Sequence, residues 1–341
     1  MVLLKCVENP GFDVGPTSKV TIMNGKLGFL IEEGGGEKRT LWAYIALGLG
    51  VMALTVSPLF VRWADAPGII TSFYRYTLAT LFLAPFFIHH LRNHGKLTPA
   101  QIRFPIVAGV FTALDHGFWS TAIDRTTVAN ATLLNYISPL WVALFAWIVW
   151  REHLGFRFWI SLVAILAGAS AVLGSTILIR PHFVQGDFLA IISSFFYAGF
   201  FLATQKGRNH LGTVPFLWIT MLVGSLCLLS GARTLGMPIL GYSRATYVTF
   251  LLAALISQLC GYFLITYALG TLPASVVMPT MVAQPVLTAI IAIPIVGEPL
   301  LTGQILGGLV ALLGIYIINA SKKGVKDTAI QAVDVPGIPP A

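Results

Sequence analysis

Charge is what this sequence has least of. Of 341 residues, 21 are Lys or Arg and 13 are Asp or Glu, 10% in all, against about a quarter in an ordinary soluble domain. So few charges cannot cover a water-soluble globule of this length, and a soluble fold is excluded. Cysteine is equally scarce. Cys6, Cys227 and Cys260 lie far apart, so neither a disulfide framework nor a thiolate metal site follows. No Gly-x-x-x-x-Gly-Lys-Ser/Thr phosphate loop is present, which removes ATP-driven chemistry on this chain. His89, His90 and His94 form one His-x-x-x-His box, but an iron site of membrane enzymes needs several such boxes and the chain has only seven His. No cofactor and no metal is implied.

What is abundant is apolar: 56% of the residues. Long apolar runs make a bilayer, not water, the medium in which this chain is stable, and predict an all-α integral membrane protein. Cutting the runs at charges, Pro and Gly gives ten segments, at about 41–64, 67–91, 102–124, 127–150, 156–178, 186–206, 213–232, 245–269, 273–296 and 302–320. Each is near the ~20 residues that cross a ~30 Å hydrocarbon core. Residues 1–40 read as a flexible cytoplasmic tail, since Val2-Leu3-Leu4 is too short for the core of a signal peptide. Residues 321–341 read as a disordered cytoplasmic tail.

Assigning loops alternately, one side collects 15 basic residues and the other five, with Arg75 left inside a span. Basic residues gather on the cytoplasmic side, so both termini are expected there, in a multi-pass protein of the cytoplasmic membrane. The net charge of +8 is thereby a signature of loop placement and not of nucleic-acid binding.

The chain also repeats itself. At an offset of 146 residues Pro139 falls on Pro285, Ala143 on Ala289, Glu152 on Glu298, Leu154 on Leu300 and Gly168 on Gly314, without a gap. Five helices per copy is an odd number, so the second copy, 186–320, enters the membrane from the side opposite to the first, 41–178. Inverted repeats let a site between the halves open to one side and then the other.

The stretch Thr127-Val128-Ala129-Asn130-Ala131-Thr132-Leu133-Leu134-Asn135-Tyr136-Ile137-Ser138-Pro139-Leu140, with the loop Arg151-Glu152-His153-Leu154-Gly155, resembles the EamA-type domain. Gln284-Pro285 and the loop Gly297-Glu298-Pro299-Leu300 are similar to the same region again. Two such domains resemble the drug/metabolite transporter superfamily. The resemblance implies a secondary transporter whose relatives export or exchange amino acids, nucleobase-type metabolites, polyamines or toxic organic compounds. Arg151 stands where the family usually has Gly.

An ionisable side chain at membrane depth costs about 2.5–3.5 kcal/mol and needs a partner or a wet cavity. Arg75 and Asp115 are the clear cases, ~12 and ~14 Å from the same face. They read either as a structural ion pair or as ligands for opposite charges on a solute, with Asp115 and the adjacent His116 able to take up a proton. Trp119, four residues on, shares the helical face of Asp115. Asn135, Tyr136, Gln258, Tyr262 and Gln284 are further candidates for solute contact, with Ser57-Pro58 and Tyr74 in second rank. Pro139 and Pro285 are candidate hinges, and Glu152 and Glu298 candidate caps at the positive ends of the helices that follow them. Gly168 to Gly174 and Gly303 to Gly308 suit close packing, within the chain or in a homodimer.

The expected partners are a small-molecule solute, the lipid bilayer and protons. The leading expectation is export of an amino acid or related amphoteric compound by alternating access. The alternatives are efflux of a cationic drug and, more distantly, an integral membrane enzyme acting on lipid.

Overall fold

A computed structural model describes residues 28–126, 128–152, 154–173, 185–284, 287 and 302–331. Every regular element among them is helical. In chain order these are α1 (Gly28–Thr55), α2 (Ser57–Trp63), α3 (Gly68–His94), α4 (Pro99–Arg125), α5 (Val128–Asn135), α6 (Ser138–Ile148), α7 (Phe156–Leu173), α8 (Gln185–Arg208), α9 (Thr213–Thr234), α10 (Arg244–Leu252), a π-helical segment Ala253–Gly261, α11 (Tyr262–Ala268), α12 (Ala274–Met281) and α13 (Thr302–Gln331). The first helix thus begins before residue 41, and the last continues past 320.

Five helical stretches are long and apolar enough to cross a membrane: Lys38–Trp63, Pro99–Arg125, Gln185–Arg208, Thr213–Thr234 and Arg244–Ala268. Ser138–Ile148, Phe156–Ala171 and Ile305–Ile318 are apolar but shorter. α3 has the length, and its apolar average is lowered by Arg75, two tyrosines, three threonines and its terminal histidines. The segment expected at 273–296 is described over 273–284 and at 287, and the rest of it lies outside the described residues.

Proline sets the interruptions. Pro58 follows a break at Val56 between α1 and α2, and Pro139 follows one at Tyr136–Ile137 between α5 and α6. A proline ring lacks the N–H that would continue the ladder, so each helix stops a turn short and restarts with Pro in its first turn. Elsewhere side chains mark the starts. Gln101 Oε1 accepts from the Thr98 N–H at 2.9 Å ahead of α4, and Ser243 Oγ accepts from the Thr246 N–H at 3.2 Å at the head of α10.

α4 packs along α8, α3 and α4 against α9, and α7 along α13. Glycine permits the last of these pairings. A Cβ on Gly168 would stand 2.5 Å from the Gly307 carbonyl oxygen and 2.6 Å from the Ala311 nitrogen. This small-residue stripe is therefore spent inside the chain. Large aromatics, Tyr76, Phe200, Phe201, Phe216 and Phe250, fill the centre, while Leu81, Phe86, Ile148, Val163 and Tyr316 are exposed. An apolar exterior around an aromatic and partly polar interior is the arrangement a bilayer selects.

Candidate functional site

The two proline interruptions face one narrow cleft of about 450 Å³, its open mouth included. Its wall comprises Leu54, Ser57 and Pro58 from the α1–α2 junction, Asp115, His116 and Trp119 from α4, Thr132, Asn135 and Tyr136 from the α5 break, Tyr197 from α8, Tyr262 from α11, and Gln284. Seven of the nine residues expected to meet a solute are brought together there: Asp115, His116, Trp119, Asn135, Tyr136, Tyr262 and Gln284.

Asp115 is the centre. It is 3% exposed, and a carboxylate so deep needs donors. Oδ1 accepts from Ser193 Oγ at 2.7 Å and from Asn135 Nδ2 at 3.2 Å, and Nδ2 also donates to Ser193 Oγ at 2.6 Å. Oδ2 lies 3.2 Å from His116 Nδ1. That nitrogen is also 3.1 Å from the Thr112 carbonyl oxygen and 3.1 Å from the Tyr76 hydroxyl, which is itself 2.6 Å from Thr112 Oγ1. A carbonyl can only accept, so Nδ1 carries the ring proton, and Nε2 of a neutral ring is left to accept from the Tyr262 hydroxyl at 3.5 Å. A second proton arriving at Nε2 would set an imidazolium against the Asp115 carboxylate. The cluster therefore gathers a carboxylate, an imidazole and several hydroxyls at one wall of the cleft.

Arg75 and Gln258 do not line the cleft. Both are fully buried, and Arg75 Nη2 donates to Gln258 Oε1 at 3.1 Å. The direct Arg75–Asp115 ion pair, one of the two readings of their equal depth, is not formed: the carboxylate is satisfied by Ser193, Asn135 and His116 instead. Tyr74 also lies elsewhere, its hydroxyl donating to the Ile239 carbonyl at 2.9 Å and its ring stacked on Phe250.

Ser193 and Tyr197 are the residues that sequence reasoning missed. They are four apart on α8 and share a face. Hydroxyls at that spacing inside an apolar run were the available signal.

About 18 Å further along α8, at 1.5 Å per residue from Ser193 to Gln205, the bundle is tied by different groups. Gln205 Oε1 accepts from the Ala274 N–H at 2.7 Å, and Glu152 Oε2 accepts from Ser275 Oγ at 3.1 Å. Glu152 was expected to cap the helix following it in sequence, yet its carboxylate meets the first turn of α12, from the second copy. Arg208 Nε donates to the Thr266 carbonyl at 3.1 Å, and Lys206 Nζ stands 5.1 Å over the Trp150 ring. Arg151 has φ +53°, the left-handed region that favours glycine. Glu298 and Pro285 lie outside the described residues.

The sequence matches the EamA-like transporter family twice, over residues 41–174 and 184–320. An uncharacterized transporter of Methanothermobacter thermautotrophicus is 26% identical over 313 residues, covering 84% of this chain and 88% of its own. Human solute carrier family 35 member G1 is 25% identical over 242 residues, covering 65% and 63%. One crystal structure of a protein superposes with a TM-score of 0.63 at 15% identity, over 83% of this chain and 97% of that one; at that identity the likeness is one of fold.

Proposed function

The chain belongs to the EamA-like transporter family, and from that premise we propose that it is a secondary transporter moving a small amphoteric organic solute, such as an amino acid, outward by alternating access. Membership removes the lipid-acting enzyme from consideration. The observation that carries the reading is Asp115, a carboxylate at the wall of a cleft in an apolar bundle, held by Asn135, Ser193 and His116. It offers a site for the solute's ammonium group, and Trp119, Tyr136 and Tyr262 offer apolar faces for its body.

In this reading ten helices form two inverted copies, and both termini lie in the cytoplasm. Pro139 and Pro285 act as hinges, and the cleft closes as the contacts at Glu152 and Gln205 part. Coupling runs through a proton on Asp115 or His116. Gly303 and the exposed face of α13 remain for a homodimer.

A second reading, efflux of a cationic compound, is favoured by one fact: Asp115 lines the cleft and Arg75 does not. The two part in proteoliposomes loaded with labelled amino acids or with the matching amines. Amphoteric transport requires faster flux of the amino acid, dependence on an imposed pH gradient, and loss of flux in Asp115→Asn. Amine flux alone assigns the second reading. Flux indifferent to Asp115→Asn in correctly inserted protein overturns both.

A further inference from the structure

Arg75 is a fully buried guanidinium, and the cleft does not use it. We propose that it is a concealed subsite for a carboxylate, covered in this conformation by Gln258 and uncovered when the π-helical segment shifts. The inference rests on the transport reading only for the route by which a solute arrives.

A guanidinium has five N–H donors and no acceptor. Here it is 0% exposed, and among the described residues it makes one hydrogen bond, to Gln258 Oε1, with Nε and Nη1 left without partners. A buried cation so poorly satisfied is costly in any protein and more so in a membrane. The acid that bears on it electrostatically is Asp115, whose oxygens are committed to Ser193, Asn135 and His116. The guanidinium therefore has a demand for an anion that no described residue fills.

The geometry of the demand points to a carboxylate. Both two-donor edges of the guanidinium fork include Nη2, the nitrogen that Gln258 engages. Nη2 carries two N–H groups, one on each edge, so Gln258 covers one edge, and a carboxylate binding side by side on that edge must displace it. Gln258 is poorly anchored for that contest, since its Nε2 donates to Met221 Sδ at 3.1 Å, a weak acceptor. It also sits in the π-helical stretch Ala253–Gly261, a rare conformation that is frequent at functional sites. The cleft is close by: Tyr262, the residue after this stretch, lines it, and Tyr76, the residue after Arg75, lies within hydrogen-bond distance of His116. A solute with its ammonium at Asp115 would thus have Arg75 one residue along the chain from a group that contacts its site.

Thermal stability of the purified full chain tests this with ligands sharing one carbon frame: leucine, isopentylamine and 4-methylpentanoate, with inorganic phosphate as a fourth. Leucine and 4-methylpentanoate should raise Tm in the wild type. In Arg75→Met the response to 4-methylpentanoate should weaken by about tenfold in concentration, as expected for one lost charge-assisted pair. The ligand-free Tm should hold or rise, because an unpaired buried charge has gone. Gln258→Leu should tighten binding of 4-methylpentanoate by about threefold, since it removes a weak competitor. An Arg75→Met protein that melts lower or fails to fold gives Arg75 a structural role and overturns the proposal. So does an unchanged response in that variant, or a wild type that responds to no carboxylate or to phosphate instead. Carboxylate binding through Arg75 without leucine flux in liposomes keeps the subsite and sinks the amphoteric transport reading. Leucine flux unaffected by Arg75→Met does the reverse.

Discussion

In the first copy Arg75, Asp115, His116 and Asn135 stand where the second, 146 residues on, has Met221, Gly261, Tyr262 and Met281. Packing positions behave differently. Gly168 and Gly314 are equivalent, and each lets its helix approach a helix of the other copy: a Cβ on Gly314 would stand 2.9 Å from the Ser161 carbonyl oxygen. The two copies therefore share the requirements of close helix approach and divide the chemistry. At these four positions the guanidinium, carboxylate and imidazole belong to the first copy, and the second has thioether, glycine and a tyrosine there. The cleft is lined by both copies, the one carboxylate on its wall comes from the first, and His116 and Tyr262, equivalent in sequence, meet at 3.5 Å. A symmetric scaffold with an asymmetric lining suits a solute that itself has two unlike ends.

The division breaks most severely at Asp115. Asp115→Ala leaves Asn135 and Ser193 facing each other with no acceptor of charge, and solute flux in proteoliposomes should fall by on the order of a hundredfold. The shared packing breaks at Gly168→Leu, which forces a side chain against the α13 backbone. Its unfolding stability should drop by about 1–3 kcal/mol, whereas Gly303→Leu, with nothing within 4 Å, should melt as the wild type does. Arg151→Gly makes the first copy resemble the second, which has Gly297 there. Relief of the positive φ should raise stability by about 1 kcal/mol, read from the melting midpoint. Tyr262→Phe removes only the hydroxyl facing His116 at long range, and flux should change by about threefold or less.

The membrane class and the helical content were legible because they depend on composition summed over long windows, where single errors cancel. The repeat was legible because equivalent residues keep one spacing. Asp115, His116, Asn135 and Tyr262 were legible for a related reason: a polar group within an apolar run has few explanations. Which polar groups meet was not legible. Arg75 and Asp115 share a depth, yet depth says nothing of rotation about the helix axis, and their side chains found different partners. Glu152 shows the same gap. Its place before α7 suggested a local cap, while the fold carried α12 of the other copy to it. Ser193 escaped notice because one hydroxyl in a helix ordinarily bonds to its own backbone, and only the fold brings Asp115 to it.

The π-helical stretch also fixes a register. A π turn closes its hydrogen bond over one more residue than an α turn, so Ala253–Gly261 behaves as an α-helix into which a residue has been inserted. Deleting one residue there would leave length and mean hydropathy almost unaltered, and a composition-based search would find the same span. Everything after it would nevertheless rotate by about 100°. Tyr262 would leave the cleft, and His116 would lose its counterpart. A single inserted residue thus sets which face of the second copy the solute meets, and indel variation among relatives at this point should track a change of cargo more closely than any substitution in the surrounding lipid-facing surface.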